Sequence, residues 1–196
     1  MKSALVYVAV AGICIGNAAL AQSFGNPGGM SPDTPGIEVA KPAANHFNPQ
    51  DKLFVRQATL GGRAEVELGK LANSRGSAPA VRDFAQRMVT DHGKANDRLA
   101  GLDRSANQRL PKSLDPEHLT IRDELQKKQG DDFDAAYLTS QIQDHQRTAN
   151  LLAWEIGMGQ NDDLKKYAAE QLPVVLEHLD MAKQHLADLT AAPPPR

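Results

Sequence analysis

The segment Met88-Val-Thr-Asp-His92 lies in the middle of a long helical pattern and ends in an acid–histidine pair. Two further pairs, Asp144-His145 and Glu177-His178, each lie near the middle of another long helical pattern. An earlier pattern carries Glu65 at a comparable depth. Four helices that each place one ionisable side chain at mid-height are typical of a four-helix bundle with a central metal site or a buried polar layer.

The apolar residues support an all-α fold, because they follow the three-four spacing of amphipathic helices. Val/Ile/Thr-rich alternating runs that would indicate strands are missing from the sequence. Pro173 predicts a kink inside the last helix rather than a break. Gly61-Gly62 lowers helix propensity and predicts close approach by a neighbouring helix. The four predicted helices, A to D, cover about residues 51–73, 78–102, 132–158 and 162–190.

The connector between helices B and C, residues 103–131, is long and predicts a short helix of its own. Asp115 is a suitable N-cap, Pro116 fits the first turn, and Gly130 follows the expected end. Helices of about 25 residues are roughly 38 Å long. Because the connector can span that length, we expect helix C to run parallel to helix B, as in long-crossover bundles.

The first 21 residues have the pattern of a secretory signal peptide. Lys2 supplies a positive charge, residues 4–19 are apolar, and Ala19-Leu20-Ala21 fits the small-x-small cleavage rule. An uncleaved anchor is the alternative, but the apolar run is short for a bilayer span of about 20 residues. We therefore expect cleavage, no membrane-spanning segment afterwards, and export to the periplasm or cell envelope.

The rest of the composition separates one folded domain, residues 50–190, from two segments expected to be disordered. Residues 22–49 are rich in Gly, Pro, Asn and Ser and form a predicted spacer, and residues 191–196 form a predicted tail. The single cysteine, Cys14, lies in the signal peptide, so no disulfide is expected. A net charge of −2 without a basic block argues against a nucleic-acid partner, and no protein partner is indicated.

The candidate metal ligands are the four mid-helix side chains: Glu65, His92, His145 and His178. One carboxylate and three imidazoles can bind zinc, iron, manganese or copper, depending on geometry. The acid before each histidine is rotated by about 100° around its helix. These acids are expected to flank the centre as outer partners of the ligands or as additional ligands; they are Asp91, Asp144 and Glu177.

The alternative for the same four residues is a hydrogen-bonded Glu/His layer that only specifies the fold. The sequence indicates no catalytic residues, because it has no serine in a nucleophile elbow and no cysteine after the signal peptide. His118 in the connector and His46 in the spacer are assigned no ligand role, because no partner lies at ligand spacing from them.

Several motifs of the chain, over about residues 50–190, resemble a bacterial family known as domain-of-unknown-function family 4142. They are Phe54-x3-Ala58-x2-Gly61-Gly62-x2-Glu65-x-Glu67-Leu68-Gly69-x-Leu71-Ala72, Val81-x2-Phe84-Ala85-x2-Met88-Val89-x-Asp91-His92, Phe133-Asp134-x2-Tyr137, Asp144-His145-Gln146 and Leu172-Pro173-x4-His178-Leu179.

The resemblance implies an exported bacterial protein with a ferritin-like four-helix bundle, and it implies no activity. Ferritin-like di-iron proteins use Glu-x-x-His on two helices. In this chain the residues three before the histidines are apolar: Val89, Ile142 and Val175. Oxygen-activating di-iron chemistry is therefore not expected. The sequence favours a bundle that is non-catalytic or weakly catalytic and acts in envelope metal handling or stress protection. A structural or interaction module is the alternative, and a metal-dependent oxidoreductase is the least supported.

Overall fold

Five helices and no strand make up the described part of the chain, residues 47–103 and 110–191 of a computed structural model. All of these residues lie in one compact unit, Lys41–Arg196. The predicted signal peptide, most of the spacer and nearly all of the tail lie outside the described residues. The helices are α1 (Pro49–Arg75), α2 (Pro79–Asp103), α3 (Pro116–Gln126), α4 (Gly130–Met158) and α5 (Asp162–Thr190).

The four long helices form two hairpins, α1 with α2 and α4 with α5, which pack through α1 on α4 and α2 on α5. At one end of the bundle, Asp51 near the start of α1 accepts a hydrogen bond from the Gln160 backbone N–H in the α4–α5 turn, at 3.0 Å. At the other end, Asp134 near the start of α4 accepts one from the Ala78 backbone N–H before α2, at 2.7 Å. Helices α2 and α4 therefore run parallel, as the connector length predicts.

The crossover from α2 to α4 runs along α1 in the part that the structure describes. Arg63 donates a hydrogen bond to the Lys112 carbonyl at 2.7 Å, and Arg75 donates one to the Gln126 carbonyl at 2.9 Å. The short helix α3 has its predicted Asp115 N-cap and Pro116 in the first turn. Gly130, which the sequence places after that helix, instead begins α4 with a positive φ of 58°.

The start of α1 includes residues that the sequence assigns to the spacer. Asn48 caps the helix through a reciprocal pair of hydrogen bonds with Asp51, and Phe47 is only 3% exposed. A capping box of this kind satisfies two otherwise free backbone N–H groups. Residues 47–49 therefore belong to the bundle.

The core consists of two apolar clusters with the mid-helix polar residues between them. On α1, Phe54 belongs to one cluster and Leu68 to the other, and Glu65 lies between them in the chain. On α2, His92 likewise falls between Met88 of one cluster and Leu99 of the other. His145 and His178 have the same position on α4 and α5. The predicted polar layer therefore exists at mid-height of the bundle.

The glycines of α1 differ in how closely they are packed. A methyl group at Gly62 would overlap the Asn96 side chain, whereas one at Gly61 would meet only Thr148 Oγ1 at 3.9 Å. At Gly69 it would lie 3.1 Å from the Ala85 backbone carbonyl oxygen. The close approach expected at Gly61-Gly62 therefore holds for Gly62 alone, and α2 backbone comes nearest at Gly69.

Helix α5 continues through Pro173 as a single helix, as predicted. None of the helices in residues 47–103 and 110–191 is both long enough and apolar enough to cross a membrane.

Candidate metal centre

The side chains of His92, His145 and His178 meet at the centre of the bundle. Their ring centroids form a nearly equilateral triangle with sides of 5.3, 5.4 and 5.4 Å. Each ring can offer one nitrogen such that all three nitrogens lie within 4.8 Å of one another. All three side chains are buried. The structure thus brings together three of the four predicted ligands.

One edge of this triangle already has the spacing of two ligands on one ion. His92 Nε2 lies 3.3 Å from His145 Nε2. Two imidazole nitrogens at 2.0–2.1 Å from a tetrahedral zinc ion are about 3.3–3.4 Å apart. The third ring must approach by up to about 1.5 Å to complete such a set, a movement within the reach of side-chain rotation.

The tautomer of His145 is determined by its hydrogen bond to the backbone. Its Nδ1 lies 2.8 Å from the Gln141 carbonyl oxygen, which can only accept. Nδ1–H of the neutral ring therefore donates to that oxygen. The lone pair of His145 is consequently on Nε2, the nitrogen that faces His92.

His178 has the arrangement of a histidine oriented by a carboxylate. Its Nε2 lies 3.1 Å from Asp91 Oδ2, and Asp91 is also paired with Arg87 at 3.3 Å. The other ring nitrogen, Nδ1, is buried without a hydrogen-bond partner among the described residues. Metal-binding histidines commonly donate their second N–H to a carboxylate in this way, which leaves the free nitrogen for the ion.

Burial keeps the three imidazoles neutral. It lowers the pKa of His145 to about 4 and lowers the pKa values of His92 and His178 below their usual range. The neighbouring imidazoles lower the pKa of His92 further. At neutral pH each ring therefore carries a free lone pair, which is the form that binds a metal ion.

Glu65, the fourth predicted ligand, lies on the opposite side of His145. Its Oε1 is 3.6 Å from His145 Nδ1, the nitrogen that points away from His92. It is only 2% exposed, and the Gln141 side chain offers it a hydrogen bond that opposes part of the rise in its pKa. Burial, and then the charge of Asp144, raise its pKa well above the usual value. Glu65 is therefore a carboxyl group whose raised pKa favours its protonated form, and it lies beside the triangle rather than at one of its corners.

The three acids that precede the histidines have different surroundings. Asp91 contacts His178, as expected for an outer partner. Asp144 instead pairs with Arg147 at 2.6 Å. Glu177 is exposed and pairs with Arg87 at 2.8 Å. Of these three acids, Asp91 is the one that hydrogen-bonds to a histidine of the triangle among the described residues.

His118 is a buried ionisable residue to which the sequence pattern assigns no ligand role. Its Nδ1 lies 2.8 Å from Asp115 Oδ2, and its Nε2 lies 3.7 Å from Asp144 Oδ2. The carboxylates of Asp144 and Asp115 raise its pKa to about 9. These residues line a cleft of about 290 Å³ between α1, α3 and α4. Glu117-His118 is itself an acid–histidine pair, and this was the signal available in the sequence.

These features define a class of protein: an all-α four-helix bundle with a long crossover and a buried three-histidine layer. The sequence matches the family described as "Domain of unknown function (DUF4142)" over residues 38–185, so the chain belongs to that family. The resemblance drawn from the motifs is confirmed.

The fold is also found in a solved structure, the crystal structure of a DUF305 fragment from Deinococcus radiodurans. The TM-score is 0.65 at 13% identity, and the match covers 72% of this chain and 98% of that one. The predicted ferritin-like four-helix bundle is confirmed at the level of fold. A search of curated proteins finds no match to this sequence.

Proposed function

We propose that the protein binds one transition-metal ion through His92, His145 and His178. The observation that carries this proposal is the convergence of three buried imidazoles, each with one ring nitrogen within 4.8 Å of the others. A layer that only specified the fold would leave His178 Nδ1 buried without a partner. Such a group costs about 1–3 kcal/mol when it is unsatisfied, and ligation removes that cost.

The ligand set favours some metals over others. Imidazole nitrogen suits zinc, copper and iron, whereas manganese prefers oxygen donors. Glu65 lies beside His145 Nδ1, and a bound cation would favour loss of its proton, so that its carboxylate balances part of the ion's charge from outside the ligand set. We therefore expect zinc or copper to bind most tightly, iron less tightly and manganese least.

The biological role that fits this site is metal handling or stress protection in the cell envelope. This role combines the proposed site with the signal-peptide pattern of residues 1–21. Export is tested by the mass of the protein recovered from the periplasm of its bacterial host. A chain that begins at Gln22 supports it, and an intact Met1 in the cytoplasm contradicts it.

Metal content tests the site itself. Mature protein purified without chelator is analysed for elements, beside the variants His92→Ala and His145→Ala. We expect about one ion per chain in the wild type and at least a tenfold lower content in both variants. His185→Ala is the matched control, because His185 packs on the Phe84 ring, at 5.7 Å between centroids, and contributes nothing to the triangle.

The alternative function is a structural or interaction module in which the histidine layer only holds the helices in register. It is favoured if the protein is metal-free and melts at the same temperature after zinc, iron, manganese or copper is added. Ligands that bind only the folded state raise the melting temperature, so an unchanged value contradicts metal binding.

A further inference from the structure

The triangle supplies three ligands, which leaves a tetrahedral ion with one position unfilled by protein. Structural zinc sites are closed by four protein ligands, whereas sites that exchange small molecules have three protein ligands and one open position. With Glu65 turned toward His145 Nδ1, none of the described residues supplies a fourth His, Cys, Asp or Glu ligand atom to the group. Because no described residue of these types fills that position, it is available to a ligand from outside the protein.

A small cavity adjoins the triangle on the side of His92. It offers about 30 Å³ of space for the centres of water-sized molecules. One water needs roughly 10–15 Å³ by this measure, so the cavity accommodates a molecule of two or three heavy atoms. Its wall combines apolar side chains with the polar groups of Asn96, Thr148, Tyr167 and Gln171. A cavity with this wall suits a small polar ligand.

Gly62 and Asn96 shape this cavity together. Asn96 lies one turn after His92 on α2, and its side-chain amide rests against the Cα of Gly62, where a methyl group would overlap it. Glycine in a helix interior is less favourable for the helix than alanine. The glycine admits the Asn96 amide to the cavity wall, where its N–H groups can donate to an anion.

We propose that this cavity is the position of an exchangeable small ligand on the metal ion, a water molecule or a small anion, and that Asn96 is its positioning residue. The proposal rests on the proposed function, since it requires an ion at the three histidines. The new element is that a substrate of two or three heavy atoms can bind to the ion. A storage site in which protein supplies all the ligands would exclude such a substrate.

Cobalt(II) and azide provide the test. The mature protein is loaded with Co²⁺, the metal content is measured, and azide is titrated while the visible absorption of the cobalt is followed. We expect a saturable spectral change at about one cobalt per chain. In Gly62→Ala the added methyl displaces the Asn96 side chain into the cavity, so we expect azide binding at least tenfold weaker with the cobalt content unchanged.

The neighbouring glycine is the matched control. Gly61→Ala adds the same methyl one residue away, where it meets only Thr148 Oγ1 at 3.9 Å, and azide binding should not change. Asn96→Ala is a second variant in case Gly62→Ala is poorly folded. It enlarges the cavity and removes the amide donors, so it should also weaken azide binding at least tenfold.

The outcomes separate this inference from the proposed function. One cobalt per chain with a spectrum that azide leaves unchanged would overturn the open position and leave metal binding intact. Equal azide affinity in the wild type and both cavity variants would overturn the role of the cavity. A protein that binds no cobalt, zinc or copper would overturn both proposals together.

Discussion

The two ring nitrogens of His145 face different surroundings within the polar layer. Nε2 faces His92 at 3.3 Å, while Nδ1 is held by the Gln141 carbonyl and lies 3.6 Å from Glu65. One imidazole therefore separates the candidate metal position from a buried carboxyl group. Substitutions of single residues can therefore test each side of the ring separately.

The buried imidazoles predict that the metal-free protein loses stability in mild acid. The folded pKa of His145, about 4, lies below its usual value of 6.5. Between these values the unfolded chain binds a proton that the folded chain does not, so stability falls as pH decreases from about 6.5 to about 4. The slope is about 1.4 kcal/mol per pH unit for one proton. Urea unfolding across this range measures it, and His145→Gln should reduce the slope by about one proton. A slope unaffected by His145→Gln contradicts the prediction.

Glu65→Gln should stabilise the metal-free protein above pH 4.5. The folded pKa of Glu65 is raised, so the unfolded chain ionises while the folded chain keeps its proton, and stability is lost as pH rises. Glutamine cannot ionise and has nearly the same shape. We expect a gain of at least about 1 kcal/mol at pH 8, or roughly 2–4 °C in melting temperature.

Glu67→Gln is the control for this experiment, because Glu67 is exposed on the same helix. A melting temperature at pH 8 that Glu65→Gln leaves unchanged or lowers would show that the carboxyl group is ionised and compensated in the folded protein.

Single residues also show where the sequence is informative and where it is not. Helical phase places His92, His145 and His178 in one layer, because it fixes where each Cβ points. It does not fix which ring nitrogen faces which neighbour. The orientation of the His145 ring, with Nε2 toward His92 and Nδ1 toward Glu65, is what leaves Glu65 outside the triangle. The contacts of His118 depend on how α3 docks on α4, and no periodicity in the sequence encodes that docking.

At the scale of the helices, alanine substitutions at two glycines of α1 are expected to have opposite effects on the stability of the protein. Gly61→Ala adds a methyl in ordinary contact with its neighbour and should stabilise the protein by up to about 1 kcal/mol through helix propensity. Gly69→Ala places a methyl 3.1 Å from the Ala85 carbonyl oxygen and should destabilise it, because α2 backbone must move. Urea denaturation of both variants measures the two effects. Equal effects of the two substitutions would show that packing between α1 and α2 tolerates the extra methyl.

The bounds of the long helices were largely predictable, and the differences occur at their ends. Apolar periodicity and the turn that contains Gly159 predict α5 at residues 162–190, and the structure has the same bounds. Helix α1 begins at Pro49 rather than residue 51, because Asn48 and Asp51 form a capping box. Helix α4 begins at Gly130, since glycine tolerates the positive φ at this first position. Such local choices depend on caps that periodicity does not reveal.

At the scale of the molecule, the ionic interactions of His118 with Asp115 and Asp144 stabilise the packing of the crossover on α4. This stabilisation depends on pH. Its folded pKa, about 9, lies above its usual 6.5. The stabilisation is therefore complete below pH 6.5 and disappears as pH rises through 9. The difference in unfolding free energy between the wild type and His118→Gln should shrink over that range, as measured by urea denaturation. His185→Gln serves as the control. A difference that stays constant from pH 6 to pH 10 would contradict the prediction.

The arrangement of the two hairpins was predictable from the length of the connector. The hydrogen bonds that hold the connector against α1 were not. A connector of about 29 residues, 103–131, can span the bundle, which indicated parallel α2 and α4. The hydrogen bonds from Arg63 and Arg75 to connector carbonyls join residues 49 and 51 positions apart. Contacts over such separations between exposed side chains and backbone leave no pattern in the sequence.

The histidine triangle takes one corner from the first hairpin and two from the second, and the last corner, His178, lies on the final helix. During biosynthesis the ribosome adds about 5–20 residues each second, so the corners leave it in order over several seconds. A nascent chain can therefore offer at most two of the three imidazoles until α5 has been translated. Premature capture of an ion by the unfinished polypeptide is thereby restricted.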